Sequence, residues 1–140
     1  TDNKGEIEWD DAYGFKRWEE PLDIVPTNDG GFIIAGFNSN EKRNIWVLRT
    51  NSKGQMRWQK DFGGGDWDEA HTLSTTYDGN FVIGGMTRSH RPGARYTKAW
   101  FMQIDGNGNP LIEDGFYGGK WSDDIQGVCQ TSDGNFVIVG

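Results

Sequence analysis

The residues best suited to chemistry are three acidic pairs. Glu19 with Glu20, Asp68 with Glu69, and Asp123 with Asp124 stand beside Trp18, Trp67 and Trp121. Adjacent carboxylates can bind a cation or divide acid and base roles between them. An indole next to them offers a broad apolar face on which a sugar ring could stack. Yet the pairs return at intervals of about fifty residues, and a catalytic pair more often breaks a repeat than obeys it. The plainer expectation is structural: one acid of each pair accepts backbone N–H bonds from the preceding glycine turn and fixes where the next strand starts.

A second candidate is "DGNGNPLIE", Asp105 to Glu113, where Asp105, Asn107 and Asn109 place oxygens at alternating positions, as in a calcium loop. The sixth place holds Pro110 in place of the expected glycine, and the carboxylate arrives early at Glu113. The equivalent stretches "TNSKGQ" and "TDNKGE" lack the ligand set, so a plain turn is expected. Calcium is the one ion the segment suggests, and no other cofactor is. His71 and His90 are the only histidines, and Cys129 is the only cysteine. That rules out an internal disulfide and a multi-cysteine metal site. No Ser-His-Asp set, phosphate-binding glycine loop with lysine, or metal-spaced His/Cys set can be assembled, and no enzymatic activity is expected.

One segment does break the repeat. "TRSHRPGARYTK", Thr87 to Lys98, is five residues longer than its counterpart "NSNEKRN" and carries Arg88, His90, Arg91, Arg95 and Lys98. These cations stand out on a chain whose formal net charge is -7. The loop is therefore the candidate contact for an anionic ligand, a glycan or a neighbouring subunit. Its structural alternative is a solvated loop that neutralises nearby acids.

What positions these residues is a repeat. "DGGFIIAG", "DGNFVIGG" and "DGNFVIVG" begin at Asp29, Asp78 and Asp133, and the flanking residues fall into line with them. A period near fifty residues, filled with short apolar runs between Gly, Asn, Asp and Ser, indicates stacked β units. Each unit reads as four strands. Strand A is "LDIVPT", "HTLSTT" or "QGVCQT". An Asp-Gly turn joins it to strand B, "FIIAG", "FVIGG" or "FVIVG". Strand C is "IWVLRT" or "AWFMQI", and strand D is "QMRWQKDF" and its equivalents.

Strand B does not alternate apolar and polar residues, so both of its faces should be covered by other sheets. Gly36 and Gly85 then mark close approaches of backbone. All seven tryptophans occupy repeated positions, which suits packing between units. If a sugar site exists, Trp18, Trp67 and Trp121 are its candidates, because they lie in the D-to-A loops on one rim. His71 aligns with Leu22 and Gln126 and reads as a strand residue.

The stretch "WQKDFGGGDWDEAHTLSTTYDGNFVIGG", Trp58 to Gly85, resembles a family of bacterial secreted or surface β-propeller repeats. Their units run roughly W-x-K-x-[FY]-G-G-x-x-x-D-x-A, then x-T-x-D-G-G-[FY]-[IV]-[IV]-[AV]-G, then a W-[IV] strand and an Asn-Gly turn. The likeness covers nearly the whole chain. It departs in the first unit, where "YGFKRW" replaces the double glycine, and in the third, where Ile112 stands in place of Trp9 and Trp58. The resemblance implies an all-β fold of four-stranded antiparallel propeller blades and an extracellular or cell-surface location.

On this reading, residues 1–17 form strand D of a split blade, 18–65 and 66–120 are whole blades, and 121–140 supply strands A and B of a third. The order D, ABCD, ABCD, AB looks like a window on a longer array, with flanking repeats or copies of itself as partners. The acidic balance disfavours nucleic acid, and no run approaches the eighteen apolar residues of a membrane span. The functional expectation is a non-catalytic scaffold for structural or binding roles. Alternatives are a self-assembling ring or fibre subunit joined by strand complementation, and a glycan-binding module.

Overall fold

A computed structural model of the chain describes residues 1–15, 18–39, 42–91 and 93–140. Among them there is no helix, hence none long and apolar enough to cross a membrane. Lys16 and Arg17, where the first unit departs from the double-glycine pattern, lie outside the described residues, as do Asn40, Glu41 and Pro92 of the two B-to-C loops.

Three antiparallel sheets follow one another along the chain. The first is β1 (Trp18–Pro26), β2 (Phe32–Ser39), β3 (Arg43–Thr50) and β4 (Met56–Phe62), hydrogen-bonded in that order. The second repeats it with β5 (Asp68–Thr75), β6 (Phe81–Thr87), β7 (Lys98–Ile104) and β8 (Pro110–Tyr117). The third has two strands, β9 (Gly127–Gln130) and β10 (Phe136–Val139). Each A-to-B turn is closed alike. The Thr76 N–H bonds Asn80 O at 2.9 Å and the Gly79 N–H bonds Thr76 O at 3.0 Å, and the same two bonds form at Thr27 and at Thr131. Gly79 takes φ +81°, a left-handed value that glycine adopts without a Cβ penalty.

The sheets stack face to face: β5 lies against β1, β2 and β3, and β9 lies against β5 and β6. Between the first and second sheets, one core gathers Ile33, Ile45, Val47, Phe81, Ile83, Trp100 and Met102. Between the second and third, a smaller one holds Val82, Phe101 and Ile125, with Phe136 and Ile138 against it. In β6, successive residues thus serve opposite cores, and Phe81, Val82 and Ile83 are all at most 1% exposed. The double-sided burial expected of strand B holds there. It fails in β10, where Val137 is 47% and Val139 61% exposed, because no described sheet lies on that face.

The close backbone approaches expected at Gly36 and Gly85 are present, within a sheet, and Gly140 shares them. A Cβ at these positions would overlap the carbonyl oxygens of Glu20, Glu69 and Asp124 respectively. Strand A bulges at this point, with register shifts at Pro21/Asp23 and Ala70/Thr72. Strand A also begins earlier than its sequence suggests, at Trp18 and Asp68, because pairing continues through the bulge.

One further expectation needs correcting: residues 1–15 form no strand, although they occupy the place expected of a strand D. Trp9 packs on Gly54 as Trp58 packs on Gly108, and it also meets Phe32 with ring centroids 6.1 Å apart. The Tyr13 hydroxyl donates to Gly54 O, and Gln59 Nε2 donates to Gly14 O at 3.3 Å. The segment is therefore laid on the outer face of the first sheet by side chains. It lacks the neighbouring strand with which a ladder would form.

Candidate functional site

The acidic pairs divide their labour. Asp68 Oδ2 accepts the Gly64 N–H at 2.9 Å, four residues back. Glu19 Oε1 receives the Phe15 N–H at 2.8 Å, and Asp123 Oδ2 the Gly119 N–H at 2.9 Å, at the same spacing. The first acid of each pair thus ties down the turn that enters strand A. Gly63 bends at φ +135° with its α-carbon so close to the Asp68 carboxylate that a side chain would collide. Asp68 is fully buried and also accepts from the Thr87 hydroxyl at 2.5 Å and the Ser89 hydroxyl at 2.7 Å. The second acid faces sideways: Glu69 pairs with Arg43 and lies 3.4 Å from His71 Nε2. His71 is a strand residue of β5. Its Nδ1 meets Gln126 Nε2 at 3.0 Å and lies 3.7 Å from Asp124 Oδ2, which links the second sheet to the third.

The Asp105 loop is likewise a turn. Asp105 Oδ1 accepts the N–H groups of Asn107 and Asn109, both at 2.8 Å, and Oδ2 accepts Asn109 Nδ2 at 2.9 Å. Those bonds, the Asn109 N–H first, with Lys60 nearby, hold the Asp105 carboxyl below the usual carboxylate range. Lys60 Nζ donates to Gly108 O at 2.9 Å and to Asn109 Oδ1 at 3.1 Å, which places an ammonium where a cation ligand set was suggested. Asn51 makes the same two backbone bonds in the previous unit, so the pattern needs no carboxylate. Among the described residues, no group of three or more His, Cys, Asp or Glu side chains is arranged to hold a metal ion.

The tryptophans separate into two sets. Trp46 and Trp100 are 3% and 5% exposed, and Trp58 is half-buried against the first core. The rim set is open: Trp18 is 69%, Trp67 44% and Trp121 68% exposed. The expectation that all of them pack between units is corrected for these three, and Trp9, 40% exposed, packs on the outer face of the first sheet. Trp18, moreover, is the first residue of β1 and does not stand in a loop.

The basic loop joins β6 to β7 of the second sheet and touches the segment that leads into the third. At its start, the Arg88 N–H donates to Trp67 O at 2.7 Å. At its end, the Thr97 hydroxyl donates to Asp123 O at 3.1 Å, and Lys98 Nζ lies 3.5 Å from the Asp123 carboxylate. Between these anchors a cleft of about 400 Å³ opens, lined by Trp67, Arg88, Arg95, Thr97, Asp123 and Asp124 among others. The guanidinium of Arg88 lies 5.8 Å from the Trp67 ring centroid, with that of Arg43 5.0 Å from it. Arg95 sits over Tyr96, whose ring meets Trp121 edge-on at 5.2 Å.

Part of the charge is neutralised: Asp66 lies 3.8 Å from Arg88. Arg88 Nε nevertheless is buried without a hydrogen-bond partner, and no described carboxylate pairs with Arg91 or Arg95 within ion-pair distance. Arg88 also lines a second cleft, with Arg91, Lys42 and Asp66.

Of the sequence candidates, then, Trp67, Arg88 and Arg95 converge, with Arg91 next door, while Trp121 lines neither cleft and meets the loop through Tyr96. His90 turns the other way, toward Phe116 at 6.4 Å, and Trp18 lines neither cleft. Arg43, Tyr96 and Thr97 were not foreseen. Tyr96 and Thr97 lie inside the one non-recurring loop, which was the available signal. No protein-family model matches the chain, and no curated protein matches it.

Proposed function

We propose that the chain is a non-catalytic scaffold of β-propeller-type repeats, working outside the cell or at its surface, whose second unit presents a rim cleft for an anionic ligand. The observation that carries this reading is a division of residues. Those that recur, such as Glu19, Asp68 and Asp123, are consumed by bonds that build the units. Those that do not recur, Arg88 and Arg95, meet at a cleft beside the exposed indole of Trp67. The guanidinium of Arg88, whose side chain is a third exposed, is a donor suited to an oxyanion. A carboxylated or sulfated glycan is the ligand class that would use both guanidinium and aromatic faces.

Titration calorimetry with an acidic oligosaccharide and its neutral counterpart tests the reading. The acidic sugar should bind and weaken as salt rises, and a joint Arg88→Gln and Arg95→Gln variant should lose roughly tenfold or more in affinity. A joint Lys4→Gln and Lys53→Gln control should not. Equal binding of both sugars, or binding that survives loss of the two arginines, would remove the anion cleft from the account.

A further inference from the structure

Arg88 is a wall of two clefts. The second, also of about 400 Å³, is bounded by Lys42, Gly65, Asp66, Ser89 and Arg91 together with Arg88 itself. Its residues come from two units. Lys42 leads into β3 of the first sheet, and its Nζ stands 3.6 Å from where a Cβ on Gly65 would be, in the turn that enters β5. Ser89 and Arg91 belong to the long loop between β6 and β7. The Asp66 N–H donates to the Ser89 hydroxyl at 3.0 Å, which ties the turn to the loop.

The charges around these clefts are unevenly paired. Arg43, the residue after Lys42, is joined to Glu69, and Arg88 has Asp66 at 3.8 Å. Lys42, Arg91 and Arg95 are exposed, and no described carboxylate lies within ion-pair distance of them. On a chain of net charge -7 these cations are left facing water. The nearby acids hold fixed places, Asp66 in the second cleft and Asp123 with Asp124 in the first. Such walls repel an unbroken run of negative charge. They suit a ligand whose anionic groups are separate and whose hydroxyls, between them, donate to carboxylates. An oligosaccharide meets both conditions, whereas a polyphosphate is charged at every unit and has no hydroxyls to turn toward Asp66.

We infer, resting on the rim cleft proposed above, that the two clefts are adjoining subsites of one groove for an acidic oligosaccharide charged on two of its sugars. Arg95 and Arg88 meet one anionic group, and Arg91 and Lys42 meet the other. Once the first charge-assisted contact has formed, the second is intramolecular, so the two reinforce each other. The groove then selects for the distance between charges, which neither cleft could read alone.

The probes are maltose, maltotriose and maltotetraose, each sulfated on one terminal sugar or on both, measured by titration calorimetry. We expect at least one doubly sulfated sugar to bind roughly tenfold or more tighter than its singly sulfated counterpart. Joint Lys42→Gln and Arg91→Gln substitution, at two exposed positions, should bring that sugar down to the affinity of the singly sulfated one, with thermal unfolding unchanged. Arg88→Gln should weaken both sugars. If singly and doubly sulfated sugars bind alike, or if the gain survives the joint variant, the second subsite falls and the rim cleft stands. If no sulfated sugar binds, both fall. Inorganic tripolyphosphate binding as tightly as the best doubly sulfated sugar would overturn the oligosaccharide assignment.

Discussion

β6 and β10 carry nearly the same residues, FVIGG and FVIVG, yet Val82 is fully buried while Val137 is 47% exposed. The strands have the same turn and the same pairing to a strand A, so local propensity does not distinguish them. What differs is the neighbour: the second sheet is sandwiched, and the third is covered on one side. The one substitution between the two strands follows the same logic. A Cβ on Gly84 would lie 2.5 Å from Ile125 Cγ2, whereas Val139 of the third sheet is exposed. In the first sheet the equivalent residue is Ala35, and the residue corresponding to Ile125 is the smaller Ala70, both in one core. Small pairs with large and medium with medium, as close packing requires.

The sharpest way to break this comparison is to place a charge on each strand. Val82→Asp puts a carboxylate between two sheets and should cost on the order of 4 kcal/mol, whereas Val137→Asp should stay within about 1 kcal/mol. Urea denaturation of the two variants measures the gap, and similar losses would refute the sandwich.

A smaller contrast sits at the strand-A carboxylates. Asp68 is buried and accepts from Gly64, Thr87 and Ser89, whereas Asp123 is a third exposed along its side chain and faces Lys98. Asp68→Ala should therefore cost about 3 kcal/mol by stranding those donors, and Asp123→Ala about 1 kcal/mol. Thermal unfolding of the pair checks the ranking.

The smallest effect belongs to the A-to-B turns, which all three sheets share. The Thr27 hydroxyl, at 2.5 Å, leads the interactions that hold the Asp29 carboxyl down at about 2, with Arg49, the Gly31 N–H and Arg57 adding to it. The Thr76 and Thr131 hydroxyls lead in lowering Asp78 and Asp133. Because the folded values are depressed, the stabilisation is complete above the ordinary carboxylate range and is lost as pH falls through the folded values. Stability should be flat down to roughly pH 4 and decline toward pH 2, with Asp29→Asn shallowing the decline. Denaturant midpoints across that range measure it.

Much of the scaffold was legible in the sequence because its signals are local. Asp-Gly turns and apolar runs give ten strands among the described residues, in the expected sheet order, and recurrence identified the carboxylates that close the turns. What was hidden depends on partners. Gly5–Gly14 aligns with Gly54–Gly63 but has no described strand beside it, and Trp67 has the type of a packing residue but lies at an open rim. The meeting of Arg88 and Arg95 with Trp67 follows the path of a long loop, which no periodicity encodes.

Site-resolved native-state hydrogen exchange addresses the stacked arrangement most directly, because amide protection reports how many neighbours must open before a strand is exposed. The account predicts slowest exchange in β6 and β7, intermediate rates in β2 and β3, and the fastest of the sheet amides in β9 and β10. Protection of β10 equal to that of β6 in the free protein would contradict it.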